Sequence, residues 1–349
     1  MSATTNLQGF WREFEKEENQ IRQWLIEQDY TNLESSMKHW EEKVNRLIGA
    51  HFFIEYAYDN FEMTFDTGPN KTTQYLAQLC VDLAPKSITK NWIINASLPP
   101  LSQKAVQATV QMKENTYTLQ DFYVFYQVQE ENQSLDVKVY CPGYPLVGNP
   151  EYKKEMSMYV VELSIGMLAY ESYMASIDSI DQPIEDMSFC SLIDFYETIM
   201  DIVDKKGWKV YPKVTDIYSV FQPNQDIVHD ALRKDMKYIF STHPLLIEET
   251  LENIVQEVRE DAKAKGASYQ YIYYPILFEG KEDADFRQSL SKQIQTVLTK
   301  THCGNVIGGA IGKSYAYIDC IVYDNEVFQD VLNQIKKQIS LTDLQVQPF

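Results

Sequence analysis

Cysteine is scarce and poorly placed for chemistry. The chain has 5, at Cys80, Cys141, Cys190, Cys303 and Cys320, with no C-x-x-C pair and no dense framework. That excludes a disulfide-stapled secreted fold and leaves reduced, mostly buried thiols. Glycine and proline are few, 13 of each in 349 residues, too few for long flexible linkers or low-complexity tracts. No uncharged apolar run nears the roughly 18 residues of a bilayer-spanning helix. The stretch Met1 to Phe10 lacks the basic-then-apolar pattern of a secretory leader. Positive charge is the largest deficit: 31 Lys and Arg stand against 50 Asp and Glu, for a net charge of −19. A field of that sign repels phosphate backbones and anionic lipid, so neither nucleic acid nor a membrane is expected as partner. A basic protein would be drawn in. Together these absences point to a cytoplasmic globular protein.

What is present is aromatic and apolar: 44% hydrophobic residues, with 24 Tyr and 16 Phe. The length suits two domains of ordinary size. Phe10, Phe14, Ile21, Trp24 and Leu25, then Leu33, Met37, Trp40, Val44 and Leu47, recur at helical spacing. A break near Asp29 predicts an αα-hairpin with a charged outer face. His51–Tyr58 and Phe61–Phe65 flank Asp59 and Asn60, a hairpin turn. A helix is predicted over Thr72–Leu83, ended by Pro85, then strands over Trp92–Leu98, Asp121–Val128 and Leu135–Tyr140. Strands and helices in this order make an α+β layout.

The run Phe61–Leu101, in which Trp92 opens a strand after a helix and Ala84-Pro85, resembles uncharacterised bacterial proteins of a domain-of-unknown-function type. The lead-in Phe10, Trp11, Phe14, Glu18 and Ile21 is similar too. The shared positions are aromatic and apolar and cover about the first third of the chain. They imply a shared fold and carry over no functional residue. Some such proteins sit near a ribonuclease-regulator type of domain, which would imply inhibition or regulation of a protein.

In the middle, Pro150–Ile177 is predicted as one amphipathic helix, with Met156, Tyr159, Val160, Leu163, Met167, Tyr170, Met174 and Ile177 on a stripe. The acidic stretch Asp178–Asp186 contains a proline and is placed as the domain boundary. Beyond it, helices are predicted over Ser188–Lys206, Asp226–Phe240 and Glu248–Lys265, with short strands over Trp208–Tyr211 and Ile217–Phe221. A compact βαββα(β) unit follows. It runs as a strand over Tyr269–Phe278, a helix over Ala284–Thr299, a glycine-kinked hairpin over Gly304–Asp324, a helix over Glu326–Ile339 and a last strand over Leu344–Val346. That order is ferredoxin-like, or split βαβ.

Candidate chemistry is sparse. Gly308, Gly309, Gly312, Lys313 and Ser314 imitate a phosphate-binding G-x-x-x-x-G-K-S/T loop, but Ile307 stands where the first glycine belongs. Such a loop must also open a helix, whose amides hold the phosphates. Here Ser314 opens an alternating strand, so turn, bulge and close backbone approach account for the glycines. Asp226, His229 and Asp230 share a helical face and suggest a divalent-metal hydrolase, without the further ligands such sites need. Cys303 lies next to His302, but neighbours in an extended segment point apart. Asp319 and Asp324 are one of many carboxylate pairs. The remaining set is Tyr269, Tyr271 and Tyr273 on one strand with Tyr315, Tyr317 and Asp319 on another, either a partner-binding sheet face or a face covered by a helix.

The reading is an α+β protein of two domains, 1–182 and 183–349, with the βαββα unit at 269–349. The domains are joined around the long helix at 151–177. The expected function is a non-catalytic, acidic protein-binding module without cofactor, an inhibitor, immunity factor or regulator of a basic partner. The alternative is a hydrolase using Asp226, His229 and Asp230, and a third option is small-molecule binding in a cleft between domains. The oligomeric state is not encoded in these patterns.

Overall fold

The structure, a computed structural model, describes residues 1–223, 231–252, 256–278, 280–339 and 343–349. It is a mixed α and β protein. Helices α1 (Ala3–Glu27) and α2 (Tyr30–Leu47) form the predicted αα-hairpin. Gln28 ends α1 in a left-handed conformation, and the Asp29 side chain accepts from Asn32 N to start α2, as an N-cap should. Their apolar stripes supply Phe10, Trp11, Phe14 and Trp40 to a core shared with Phe52 and Phe65. The rings of Phe10 and Trp40 meet edge to face, 5.5 Å apart.

Strands β1 (His51–Ala57) and β2 (Asn60–Asp66) pair antiparallel, and β3 (Trp92–Asn95) joins β2 in parallel after α3 (Lys71–Asp82) and the short α4 (Lys86–Thr89). Tyr58 and Asp59 both have positive φ, the geometry a two-residue hairpin prefers. Next come α5 (Gln103–Val106) and the hairpin β4 (Thr109–Met112) with β5 (Asn115–Thr118). Strands β6 (Tyr123–Gln129) and β7 (Ser134–Tyr140) form the centre of a four-stranded sheet.

Helix α6 (Pro150–Tyr173) corrects the predicted 150–177 helix twice. It breaks at Gly166, where φ is 73° and ψ 162°. There the segment 98–101 bonds to both halves, with Met167 N donating to Leu98 O and Leu101 N to Leu163 O. A Cβ on Gly166 would lie 2.6 Å from Pro100 N, so only glycine permits the crossing. The helix then stops at Tyr173, because Met174–Ile180 becomes β8 and gains a parallel ladder with β7. Met174 and Ile177 therefore belong to a strand. Residues 181–188 lead from β8 to β9 (Phe189–Ser191), and these are the two edges of that same sheet. Helix α7 (Phe195–Lys206) follows and ends on left-handed Gly207. The core beneath α6 and α7 includes Val124, Val137, Val160, Phe195 and Ile199.

The last sheet has six strands in the order β10 (Ser219–Phe221), β11 (Tyr238–Ser241), β13 (Gly304–Ile311), β14 (Tyr315–Val322), β12 (Ser268–Pro275) and β15 (Gln345–Pro348), every pair antiparallel. Two predictions fail nearby. Trp208–Tyr211 is not a strand, and of the predicted 226–240 helix, 226–230 lies outside the described residues while 238–241 is β11. Ile239 and Phe240 take strand geometry because β13 offers them a backbone ladder. Helices α8 (Pro244–Glu252) and α9 (Glu257–Ala264) precede β12. Helices α10 (Lys281–Thr301) and α11 (Asn325–Ile339) cover one sheet face through Leu290, Ile294, Leu298, Phe328 and Leu332. The opposite face meets the N-terminal core through Tyr269, Ile307, Ile321 and Tyr323. No described helix is long and apolar enough to cross a membrane.

Candidate functional site

The β12–β14 register sets Tyr271 opposite Asp319 and Tyr273 opposite Tyr317. Alternation then places Tyr269, Tyr271, Tyr273, Tyr315, Tyr317 and Asp319 on one sheet face. That face is largely covered, and not by a single helix. Tyr269 shares a 2.7 Å hydrogen bond with Thr72 of α3. Tyr271 and Tyr317 lie under Arg233, and the ring of Phe349 meets Tyr271 edge to face. Tyr269, Tyr271, Tyr317 and Asp319 are buried, and Tyr273 and Tyr315 keep partial exposure. A partner could touch only those two directly.

Asp319 has no exposed surface and holds Arg233 in a two-point pair, Nη1 to Oδ1 at 2.7 Å and Nη2 to Oδ2 at 3.3 Å. Both hydrogen bonds are charge-assisted, and the fork geometry fixes the side chains relative to each other. Two residues on, Asp235 explains the glycine loop. Its Oδ2 accepts from the backbone N of Lys313, Ser314 and Tyr315 at 3.1, 2.9 and 2.9 Å, while Tyr317 Oη donates to Oδ1 at 2.6 Å. A Cβ on Gly312 would fall 2.1 Å from Oδ2. The loop that imitates a phosphate cradle is thus an amide nest, and its anion is a carboxylate of the same chain. No helix follows it, as the alternating strand predicts.

A cavity of about 830 Å³ opens among the described residues. One wall is α10, another is α3, and the edge of β13 at 304–306, unpaired with β11, lies between them, with Thr215, Tyr218 and Val220 also lining it. It exists because β11 pairs with β13 only from Gly308 onward, leaving the first half of that strand without a neighbour on one side. Gln295 of α10 closes part of this edge, its Oε1 accepting from Val306 N at 2.7 Å. Charged groups of both signs line the cavity: Arg287 and Lys292 come from α10, Lys213 lies 3.8 Å from Asp82, and Asp216 stands on the same wall as Thr215. Arg287 is only 8% exposed, and its Nε and Nη1 are buried without a hydrogen-bond partner among the described residues. Its guanidinium lies 4.3 Å from the Phe240 ring centroid. Burial pulls its pKa below the usual arginine value. A second cavity, about 460 Å³, lies beside Tyr173, Tyr196 and Tyr211 and shares Gln78 and Lys213 with the first.

The other sequence candidates disperse. Asp226, His229 and Asp230 lie outside the described residues. Cys303 is buried, its thiol pushed up by that burial, and Thr301 Oγ1 donates to it. His302 instead ends α10 in a left-handed conformation. Asp324 accepts from Ser2 Oγ and Val327 N, a capping role separate from Asp319. Among the described residues no cluster of His, Cys, Asp or Glu is placed to hold a metal. Sequence reading missed Arg287 and Asp235. The first left a signal: Asp283, Arg287, Leu290, Ile294 and Leu298 are the buried positions of α10, so two charged residues occupy an otherwise apolar stripe. No protein-family model, curated protein or solved structure matches the chain.

Proposed function

We propose that this chain is a non-catalytic binding protein whose ligand seat is the cavity between α10, α3 and the edge of β13. The carrying observation is its make-up: about 830 Å³, within the usual range for small-molecule sites, with apolar walls and a few convergent polar groups. This develops the cleft option of the sequence reading. The test is a fragment screen by thermal shift on the wild type and on Ser291→Trp, which fills the cavity from α10. Fragments that raise Tm in the wild type and not in S291W support the seat, and equal shifts in both sink it.

A second reading retains the acidic, cytoplasmic regulator of a basic protein, as the resemblance of the N-terminal third implies. It is favoured by the net charge of −19 and by exposed Glu34, Glu41 and Glu42 along α2. Association that weakens steeply with salt, and is unchanged in S291W, would support it. The hydrolase alternative rests on Asp226, His229 and Asp230, and is tested by a Tm rise with millimolar Mn²⁺ or Zn²⁺ that His229→Ala abolishes. For the architecture we propose a ferredoxin-like unit at 269–349; the boundary expected near residue 182 falls between β8 and β9, two strands of one sheet. The β13-β14-β12-β15 order, antiparallel throughout, supports that unit.

A further inference from the structure

The chemical class of the ligand follows from one side chain. We infer that the cavity takes a small organic anion, a carboxylate or phosphate monoester with an apolar or aromatic body, whose charged group pairs with Arg287. The inference rests on the cavity being the ligand seat.

A guanidinium taken out of water needs partners for its five N–H groups, and a buried cation without a counter-charge is costly. Arg287 has neither in full. Among the described residues its Nε and Nη1 meet no acceptor, and no carboxylate comes within salt-bridge distance. The nearest acids act only through space: Asp319 is engaged with Arg233, and Asp283, one turn earlier on α10, accepts from Leu277 N at Oδ1 while its buried Oδ2 meets no donor among the described residues. The aromatic face of Phe240 offers partial compensation.

The surroundings keep the guanidinium in place. Gly309 pairs with Phe240 on β11 and Ile318 on β14, and a Cβ there would lie 3.0 Å from Arg287 Nη1. A glycine therefore makes room for the charge beneath α10. Five residues further along that helix, Lys292 adds a second cation with no ion pair among the described residues. Leu79, Val220, Phe240 and Leu298 give the apolar remainder of a ligand something to rest on. In a chain of net charge −19, long-range steering opposes an anion, so recognition has to come from this local site. A monoanion with an apolar body suits that balance better than a polyanion.

The probes are benzoate, phenyl phosphate, inorganic phosphate and neutral benzamide, applied to wild type, Arg287→Met and Arg287→Lys. Binding is read by calorimetry and Tm. Benzoate and phenyl phosphate should raise wild-type Tm by about 2–3 °C at tenfold excess over Kd, and benzamide should bind at least tenfold more weakly. R287M should lose at least tenfold in affinity for both anions while its ligand-free Tm equals or exceeds that of the wild type. R287K should lie between them. A response to inorganic phosphate equal to that for phenyl phosphate would support the charge and overturn the apolar body. Benzamide binding as tightly as benzoate in the wild type, but not in S291W, overturns the anion and keeps the cavity. No binding by any probe, or equal benzoate affinity in wild type and R287M, overturns the inference. So does marked destabilisation of both ligand-free variants, which would make Arg287 structural.

Discussion

Two devices for burying a charge lie against the same six-stranded sheet, and among the described residues the chain itself fills one of them. At the turn between β13 and β14, three backbone amides and the Tyr317 hydroxyl converge on Asp235, so a fully buried carboxylate has a donor for each direction of approach. Beneath α10, Arg287 is almost as deeply buried, and its Nε and Nη1 meet no acceptor among the described residues. The first arrangement is complete within the chain, and such networks rigidify a core. The second is incomplete, and an incomplete buried charge beside a cavity is a feature of a binding site. The sheet teaches that burial alone does not mark function.

The largest expected effect comes from emptying the filled device. Asp235→Ala leaves three amides and a phenol unmet and should destabilise the protein by about 3–5 kcal/mol, measured by urea unfolding. The vacated nest is then the phosphate cradle that the sequence imitates. Tens of millimolar sulfate or phosphate should restore part of the lost Tm in D235A beyond any general salt effect on the wild type. If D235A is as stable as the wild type, the contrast between the two sites collapses.

Next in size is Gly309→Ala. Its Cβ would come 2.3 Å from Tyr317 O and 3.0 Å from Arg287 Nη1, so β14, β13 or the guanidinium must move. The expected cost is about 2–4 kcal/mol. Combining it with R287M should recover part of that loss, because one of the two clashes is gone. Strict additivity in the double-mutant cycle would show that Gly309 does not make room for the arginine.

His243 sharpens the comparison by showing a third way to bury a polar group. It is 2% exposed, its Nδ1 accepts from Leu246 N at the start of α8, and it packs against Tyr75 and Tyr269. Burial, with Lys71 nearby, lowers its pKa to about 3; the base has no ion-pair partner among the described residues and gives up its proton. Because the folded pKa lies below the unfolded value, the unfolded chain binds the extra proton. Stability from this group is therefore present above about pH 6.5 and lost as pH falls toward 3, on the order of 3–5 kcal/mol in all. His243→Asn keeps a capping acceptor and loses ring packing. It should be less stable at pH 7 by about 1–2 kcal/mol yet show a flatter acid limb. An acid limb as steep as the wild type's would place the sensitivity in other groups.

How much of this was legible follows the range of the interactions. The αα-hairpin, the β1–β2 turn and the β13–β14 hairpin are written in neighbouring residues, so spacing finds them. The break in α6 is not, because apolar residues continue on both sides of Gly166 and the cause is a crossing by Pro99 and Pro100 from far upstream. Strand β8 likewise exists through its ladder with β7, and β11 through its ladder with β13. At the sites, alternation correctly put the tyrosines and Asp319 on one face, but nothing local announced that Arg233 and Phe349 would cover it. The Asp235 nest joins a turn to a distant residue that carries no motif of its own. Arg287 was legible in principle, as a charge inside the apolar stripe of α10.

The smallest expected effect compares two carboxylates. Asp235 receives four donors, whereas Glu162 on α6 receives no hydrogen bond among the described residues and faces Asp66 and Glu171. Burial first, then those two acids, raise its pKa to about 7. The sign is opposite to that of His243. The folded state holds the proton more tightly, so the stability contributed by Glu162 is present below the ordinary carboxylate range and lost as pH rises through about 7. Glu162→Gln should therefore raise Tm at pH 8 and change it little at pH 5, where the wild-type side chain is already neutral in the fold. Partial exposure to solvent screens the effect, so a rise of one or two degrees is the scale, on the order of 0.5 kcal/mol. An equal change at both pH values would mean that Glu162 acts through packing and not through its charge, leaving Asp235 without its contrasting carboxylate.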